Sequence, residues 1–232
     1  ALLNVFHALD PREIVLPDAS PRCINADYSP DGRLLALADV DGVVLWDEEG
    51  NEVAAEGLDG HRLAAFSPSG ELLATAAGET TVALWRRDHR SGWWYALHEF
   101  PMEDIPHRVE FSPDGRLLAG VAKHQGKVHV WKVGDGTEQS AFSGSDRDVT
   151  TLAFSPDSRL LAWGGKDNRA HIHDLQAERE IWNDGGGQAL ISALAFSPDS
   201  RLLVVGRAGT GIRGMETVIW HVPPSEAETD DE

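Results

Sequence analysis

One phrase returns five times in this chain: an aromatic residue, Ser-Pro, Asp or Ser, Gly or Ser, a charged residue and Leu-Leu. It starts at Tyr28, Phe66, Phe111, Phe154 and Phe196, at intervals of 38, 45, 43 and 42 residues. Self-similarity near forty residues marks an array of small supersecondary units, none of which can bury its apolar face alone. An unbroken repeat across 232 residues predicts one domain. A chain of that length buries about 70% of its unfolded surface and needs no covalent staple.

Each unit carries the same order of signals. An apolar strand runs into the aromatic, as at Thr151-Leu152-Ala153-Phe154. In the Ser-Pro-Asp-Gly that follows, Pro presets φ, the Asp side chain caps main-chain donors and Gly takes the positive-φ position. Leu-Leu opens a second strand, and a polar hairpin leads to a third strand that usually ends in Trp. The third strands end at Trp46, Trp85, Trp131, His173 and Trp220. A fourth strand is weaker, as at Glu52-Val53-Ala54 and Trp93-Trp94-Tyr95-Ala96-Leu97. Four short antiparallel strands per unit predict an all-β fold, with each unit one blade of a β-propeller.

Val44-Leu45-Trp46-Asp47, Gly60-His61 ahead of a strand and the recurrent Ser-Pro-Asp-Gly resemble the WD-repeat β-propeller family over nearly all of residues 20–222. A related group of periplasmic and peptidase-associated propellers also repeats Ser-Pro-Asp-Gly. Its third strand more often carries Tyr, whereas Val-x-Leu-Trp fits the WD type. The resemblance implies a hydrogen-bonded set of His, Ser or Thr, Asp and Trp in each blade. The second unit comes near it with His61, Thr75, Glu79 in place of Asp, and Trp85. In the fourth, Asp167 fits the Asp place but His173 stands where Trp belongs. The blades are therefore expected to rely on apolar packing between neighbours more than on that polar set.

The units begin near residues 21, 61, 107, 149 and 190 of a propeller spanning residues 1–222. Residues 223–232 are acidic and read as a disordered tail. The fifth unit lacks a fourth strand of its own. Arg12-Glu13-Ile14-Val15-Leu16 resembles Asn51-Glu52-Val53-Ala54 and is expected to supply it, closing five blades by pairing the two termini. Residues 2–9 resemble a third strand, which leaves a larger ring open as the alternative.

A net charge of −18 argues against nucleic acid and anionic membranes as partners. No apolar run approaches the roughly 20 residues of a membrane span. The first residues do not read as a signal peptide. The single cysteine, Cys23, fits a reducing compartment, so a cytoplasmic location is expected. There is no nucleophile elbow, phosphate loop or dinucleotide fingerprint, and no enzyme activity or cofactor is expected. His171 and His173 share a strand face at the spacing of two metal ligands. Without a Cys partner or a bracketing acid they read as structural, and no metal is expected. Gly185-Gly186-Gly187 reads as a linker between blades.

Three features could carry a site at the channel or on a face. Asp27 and Glu110 precede the terminal aromatic where other units have Ala65, Ala153 and Ala195. They are either an acidic pair facing the axial channel or two solvated carboxylates, Glu110 paired with Arg108. Basic residues gather in the segments that the WD resemblance places on one narrow face: Arg22, Arg62, Arg108, Lys123, Arg147, Lys166, Arg169, Arg207 and Arg213. Asp59, Glu79, Asp148 and Asp167 are interleaved with them. The connection 86–107, with Trp93, Trp94, Tyr95 and Phe100, is a second candidate surface or a packed outer strand. The function expected is a non-enzymatic scaffold or sensor domain that binds a protein segment, an acidic one, on the narrow face. The alternative is a propeller enzyme, or an enzyme-appended propeller, using acids at the axial channel.

Overall fold

The computed structural model describes residues 23–39, 41–53, 55, 57–77, 80–88, 90–124, 126–143, 148–209 and 216–223. All regular structure among them is β, in five separate antiparallel sheets. The first blade holds β1 (Asn25–Tyr28), β2 (Leu34–Ala38), β3 (Val43–Asp47) and β4 (Glu52–Val53). The second holds β5 (Ala64–Phe66), β6 (Leu72–Ala77), β7 (Thr81–Arg87) and β8 (Trp94–Pro101). The third holds β9 (Pro106–Phe111), β10 (Leu117–Ala122), β11 (Lys127–Lys132) and β12 (Glu138–Ser143). The fourth holds β13 (Val149–Phe154), β14 (Leu160–Gly165), β15 (Ala170–Asp174) and β16 (Arg179–Asn183). The fifth has three strands, β17 (Leu190–Phe196), β18 (Leu202–Ala208) and β19 (Glu216–His221). These are the blades of a β-propeller. The pairing expected between residues 12–17 and β19, and the tail 224–232, lie outside the described residues.

Register is common to all five blades. Leu35 faces Trp46, Leu73 faces Trp85, Leu118 faces Trp131, Leu161 faces His173 and Leu203 faces Trp220. Strand alternation gives every blade a trailing face toward the next blade and a leading face toward the one before. Leu34, Ala36 and Leu45 of the first blade pack on Phe66, Leu73 and Trp94 of the second. Leu72, Val82 and Leu84 meet Phe111, Leu118 and Trp131 at the next seam. Val128 and Val130 meet Phe154 and Trp163, and Ala162 and Ile172 meet Leu203 and Val205. Each large side chain fully covered this way contributes about 1.5–3 kcal/mol before entropy is charged. The core is thus a chain of four seams rather than one centre.

The Ser-Pro turns are pinned by more than Asp. Ser29 Oγ donates to Asp31 at 2.7 Å and accepts the Leu34 N–H at 2.8 Å. Ser112, Ser155 and Ser197 repeat both bonds. The fourth turn residue has positive φ in every unit: Gly32, Gly70, Gly115, Ser158 and Ser200. A non-glycine residue pays about 1–2 kcal/mol there, partly offset by the backbone entropy of Gly. Ser158 has a compensation, because its Oγ accepts the Asp114 N–H across the seam at 3.0 Å. Ser200→Gly is therefore expected to stabilise the protein by about 0.5–1 kcal/mol, raising Tm by about 1–3 °C. Ser158→Gly should gain nothing, since it gives up that bond; thermal unfolding of the two variants checks the contrast.

Candidate interaction site

The inner strands β1, β5 and β9 line a cleft of about 620 Å³ that includes Asn25, Asp27, Tyr28, Ala65, Arg108 and Glu110. An inner strand is a sheet edge, and its outward N–H groups need acceptors. Three polar side chains supply them across the seams. Asn25 Oδ1 accepts the Ala64 N–H at 2.8 Å, and Asp27 Oδ2 accepts the Phe66 N–H at 2.7 Å. Glu110 Oε1 accepts the Phe154 N–H at 3.4 Å. Burial pushes the Asp27 carboxyl above its ordinary range, opposed by the Phe66 N–H. Burial also raises Glu110, opposed by the Phe154 N–H and then by the charge of Arg108. Both acids line this cleft, and they act as inter-blade clamps rather than as freely solvated groups. Asn25 was not singled out by the sequence. Its signal was a polar residue alternating with Asp27 on one edge.

The expected basic face is only partly available. Arg62, Arg108, Lys123 and Arg169 are exposed. Lys166 is exposed too but is bridged to Asp148 at 2.6 Å. Arg22, Arg147 and Arg213 lie outside the described residues, as does Glu79. Arg207 is a correction: its side chain is 6% exposed and forms an ion pair with fully buried Asp184. Its second nitrogen donates to Asn168 O at 3.0 Å. Gly187 lets it in, since a Cβ there would sit 2.2 Å from the guanidinium. The aromatic connection divides the same way. Trp93 is 47% exposed beside exposed Tyr95, whereas Trp94 is 4% exposed and packs near Phe66. Trp94 belongs to the first seam and is no surface residue.

In the second blade His61 Nδ1 lies 2.6 Å from Thr75 Oγ1, which also accepts the Trp85 indole N–H at 2.9 Å. All three are buried. The other blades replace this set. Leu37 and Val205 occupy the Thr75 place in the first and fifth, leaving the indole N–H groups of Trp46 and Trp220 buried without a partner among the described residues. In the third, Gly120 holds that place and the Trp131 ring lies where a Cβ would project. In the fourth the indole moves to the second strand: Trp163 stacks on His171 at 3.9 Å, and His173 stacks on Phe142 at 4.0 Å. Asp167 there accepts from His171 at 3.1 Å, and Glu180 contacts the other ring nitrogen at 2.8 Å. Burial alone would lower the His171 pKa, but these two carboxylates outweigh it and raise it.

A family model described as "WD domain, G-beta repeat" matches residues 136–174. Transcription initiation factor TFIID subunit 5 of Caenorhabditis elegans is 29% identical over 177 residues, covering 72% of this chain and 26% of that protein. Eukaryotic translation initiation factor 3 subunit I of Pyricularia oryzae is 30% identical over 161 residues, 66% of this chain and 45% of that protein. WD repeat-containing protein 26 homolog of Drosophila melanogaster is 30% identical over 125 residues, 47% and 18%. The chain spans less than half the length of each of these relatives. With five blades in a common register and that match over one repeat, the chain is similar to WD-repeat proteins. No helix among the described residues is long and apolar enough to cross a membrane.

Proposed function

We propose that this chain is a non-enzymatic interaction module that takes an acidic partner segment on its narrow face. The observation that carries the reading is the set of exposed cations Arg62, Arg108, Lys123 and Arg169 on a chain of net charge −18. Arg62 lies just before β5, Lys123 and Arg169 lie in the hairpins of the third and fourth blades, and Arg108, within β9, borders the inner-strand cleft. Two of the relatives are by name subunits of initiation factors, which supports a role within an assembly. The alternative, an enzyme working through axial carboxylates, would use Asp27 and Glu110. Both already serve main-chain donors of the neighbouring blade, which favours the interaction reading.

A fluorescein-labelled Glu-rich peptide provides the test. Its anisotropy titration should weaken about tenfold or more in the triple variant Arg62→Glu, Arg108→Glu, Arg169→Glu. Wild-type affinity should fall as salt shortens the screening length to about 10 Å at 0.1 M. Binding that ignores both the reversal and the salt would move the site to Trp93 and Tyr95.

A further inference from the structure

The second blade is extended at one end. Its third strand, β7, runs seven residues and its fourth, β8, runs eight, where the other third strands hold five or six. The added length lies beside the Ser67 turn, since the Arg87 N–H donates to the Glu71 carbonyl at 3.0 Å. That is the opposite end of the sheet from Arg62. The hairpin there differs in charge from its counterpart Asp47-Glu48-Glu49-Gly50 in the first blade, because it carries Arg86, Arg87 and Arg90. Arg86 and Arg90 are exposed, and no carboxylate among the described residues lies within ion-pair distance of either. Asp88 accepts the Arg90 and Ser91 N–H groups at 2.7 and 3.0 Å within the turn. Strand alternation puts exposed Trp93 and Tyr95 on one face and buried Trp94 on the other, and Arg86 is the cross-strand partner of Tyr95. β8 is also the outer edge of its sheet. The features that blunt such an edge come only further along it: a bulge opposite Leu84 and Trp85, then Glu99 and Pro101. From Trp94 to Ala96 the edge carries neither charge nor proline.

We propose that this corner of the second blade docks an extended acidic segment of a partner protein. The segment adds as a strand along β8 from Trp94 to Ala96, covers Trp93 and Tyr95, and pairs its carboxylates with Arg86 and Arg90. Charge selects the occupant: guanidinium groups without a carboxylate, on a chain of net charge −18, favour a segment that brings carboxylates of its own. Residue type agrees, because Trp, Tyr and Arg are the side chains that most often carry binding energy at an interface. Main-chain bonds along the edge supply affinity without regard to sequence, and the aromatic pair and the arginines supply the choice. The site is separate from Arg62, Arg108 and Arg169 and does not rest on the reading given for them.

The probe is a fluorescein-labelled peptide with a central run of Val between pairs of Glu, so that either strand direction presents acids to the arginines. Its anisotropy should rise on titration with the wild type. Arg86→Glu with Arg90→Glu should weaken binding at least about tenfold, as should Trp93→Ala with Tyr95→Ala. All four side chains are exposed, so both double variants should keep the wild-type Tm. Arg86→Gln with Arg90→Gln stands in should the reversal disturb folding. A copy of the peptide N-methylated at every residue keeps its charge but has no main-chain donors, and it should bind at least about tenfold more weakly. The triple variant Arg62→Glu, Arg108→Glu, Arg169→Glu should leave this binding unchanged, which separates the two sites. A wild type that does not bind the peptide, or binding that survives both double variants, overturns the proposal. So does an N-methylated peptide that binds as well as the plain one. Loss of binding in the triple variant alone would place the peptide on the narrow face. A wild-type dimer in sedimentation velocity that the double variants dissociate would make a second copy the occupant, which also overturns it.

Discussion

Arg207→Ala should destabilise the protein by about 3–5 kcal/mol, the expected cost of removing one partner from a buried ion pair. The guanidinium is locked on three sides, by Asp184, by the Asn168 carbonyl and by the chain at Gly187. Asp184 also accepts the Ala170 N–H at 3.1 Å and the Gly186 N–H at 3.0 Å, so it folds the glycine strap around the arginine. Losing Arg207 leaves that carboxylate buried and uncompensated, which is why the truncation costs more than the pair is worth. Asp184→Ala combined with Arg207→Ala should therefore lose much less than the sum of the single changes. Exposed Arg169→Ala should stay within about 0.5 kcal/mol. Urea unfolding of the four proteins measures this, and a single-variant loss below about 1 kcal/mol would show that the pair is not desolvated.

Arg207 also marks where the sequence stopped being legible. The blade count, the turns and the strand order follow from a repeated phrase whose chemistry is local, so they could be read directly. Arg207 stood in what reads as the start of an enlarged polar hairpin, and Arg is ordinarily a surface residue. Aligned by register it falls where Ala122 and Gly165 are buried, and that small-residue position was the available signal. Trp93 and Trp94 could not be sorted because period-2 alternation needs a phase. The phase of β8 is set by a bulge opposite Leu84 and Trp85, which no composition shows. Asp27 and Glu110 were legible as an odd pair among alanines. Their work lies across seams, with Phe66 and Phe154, thirty-nine and forty-four residues away, and spacing alone does not reveal it.

The polar set of the second blade should lose about 1–3 kcal/mol on His61→Ala, because the buried Thr75 hydroxyl then has a missing partner. The bonds form a chain: the Trp85 N–H donates to Thr75 Oγ1, which is in turn hydrogen-bonded to His61 Nδ1. Thr75→Ser should keep most of the stability and Thr75→Val should match His61→Ala. The pH dependence gives a second reading. Burial holds the His61 pKa below its ordinary 6.5, against the pull of Asp59 and Glu99. Its folded pKa lies below the unfolded one, so its contribution is full above pH 6.5 and is drawn down as pH falls through the folded value. His171 has the opposite sign: raised by Asp167 and Glu180 against burial, it contributes fully below pH 6.5 and loses that contribution as pH rises through its folded value. Urea midpoints at pH 5 and pH 8 should show the cost of His61→Ala growing toward pH 8 and that of His171→Ala growing toward pH 5. A common direction at the two sites would mean that one of these rings is not held by the partners assigned to it.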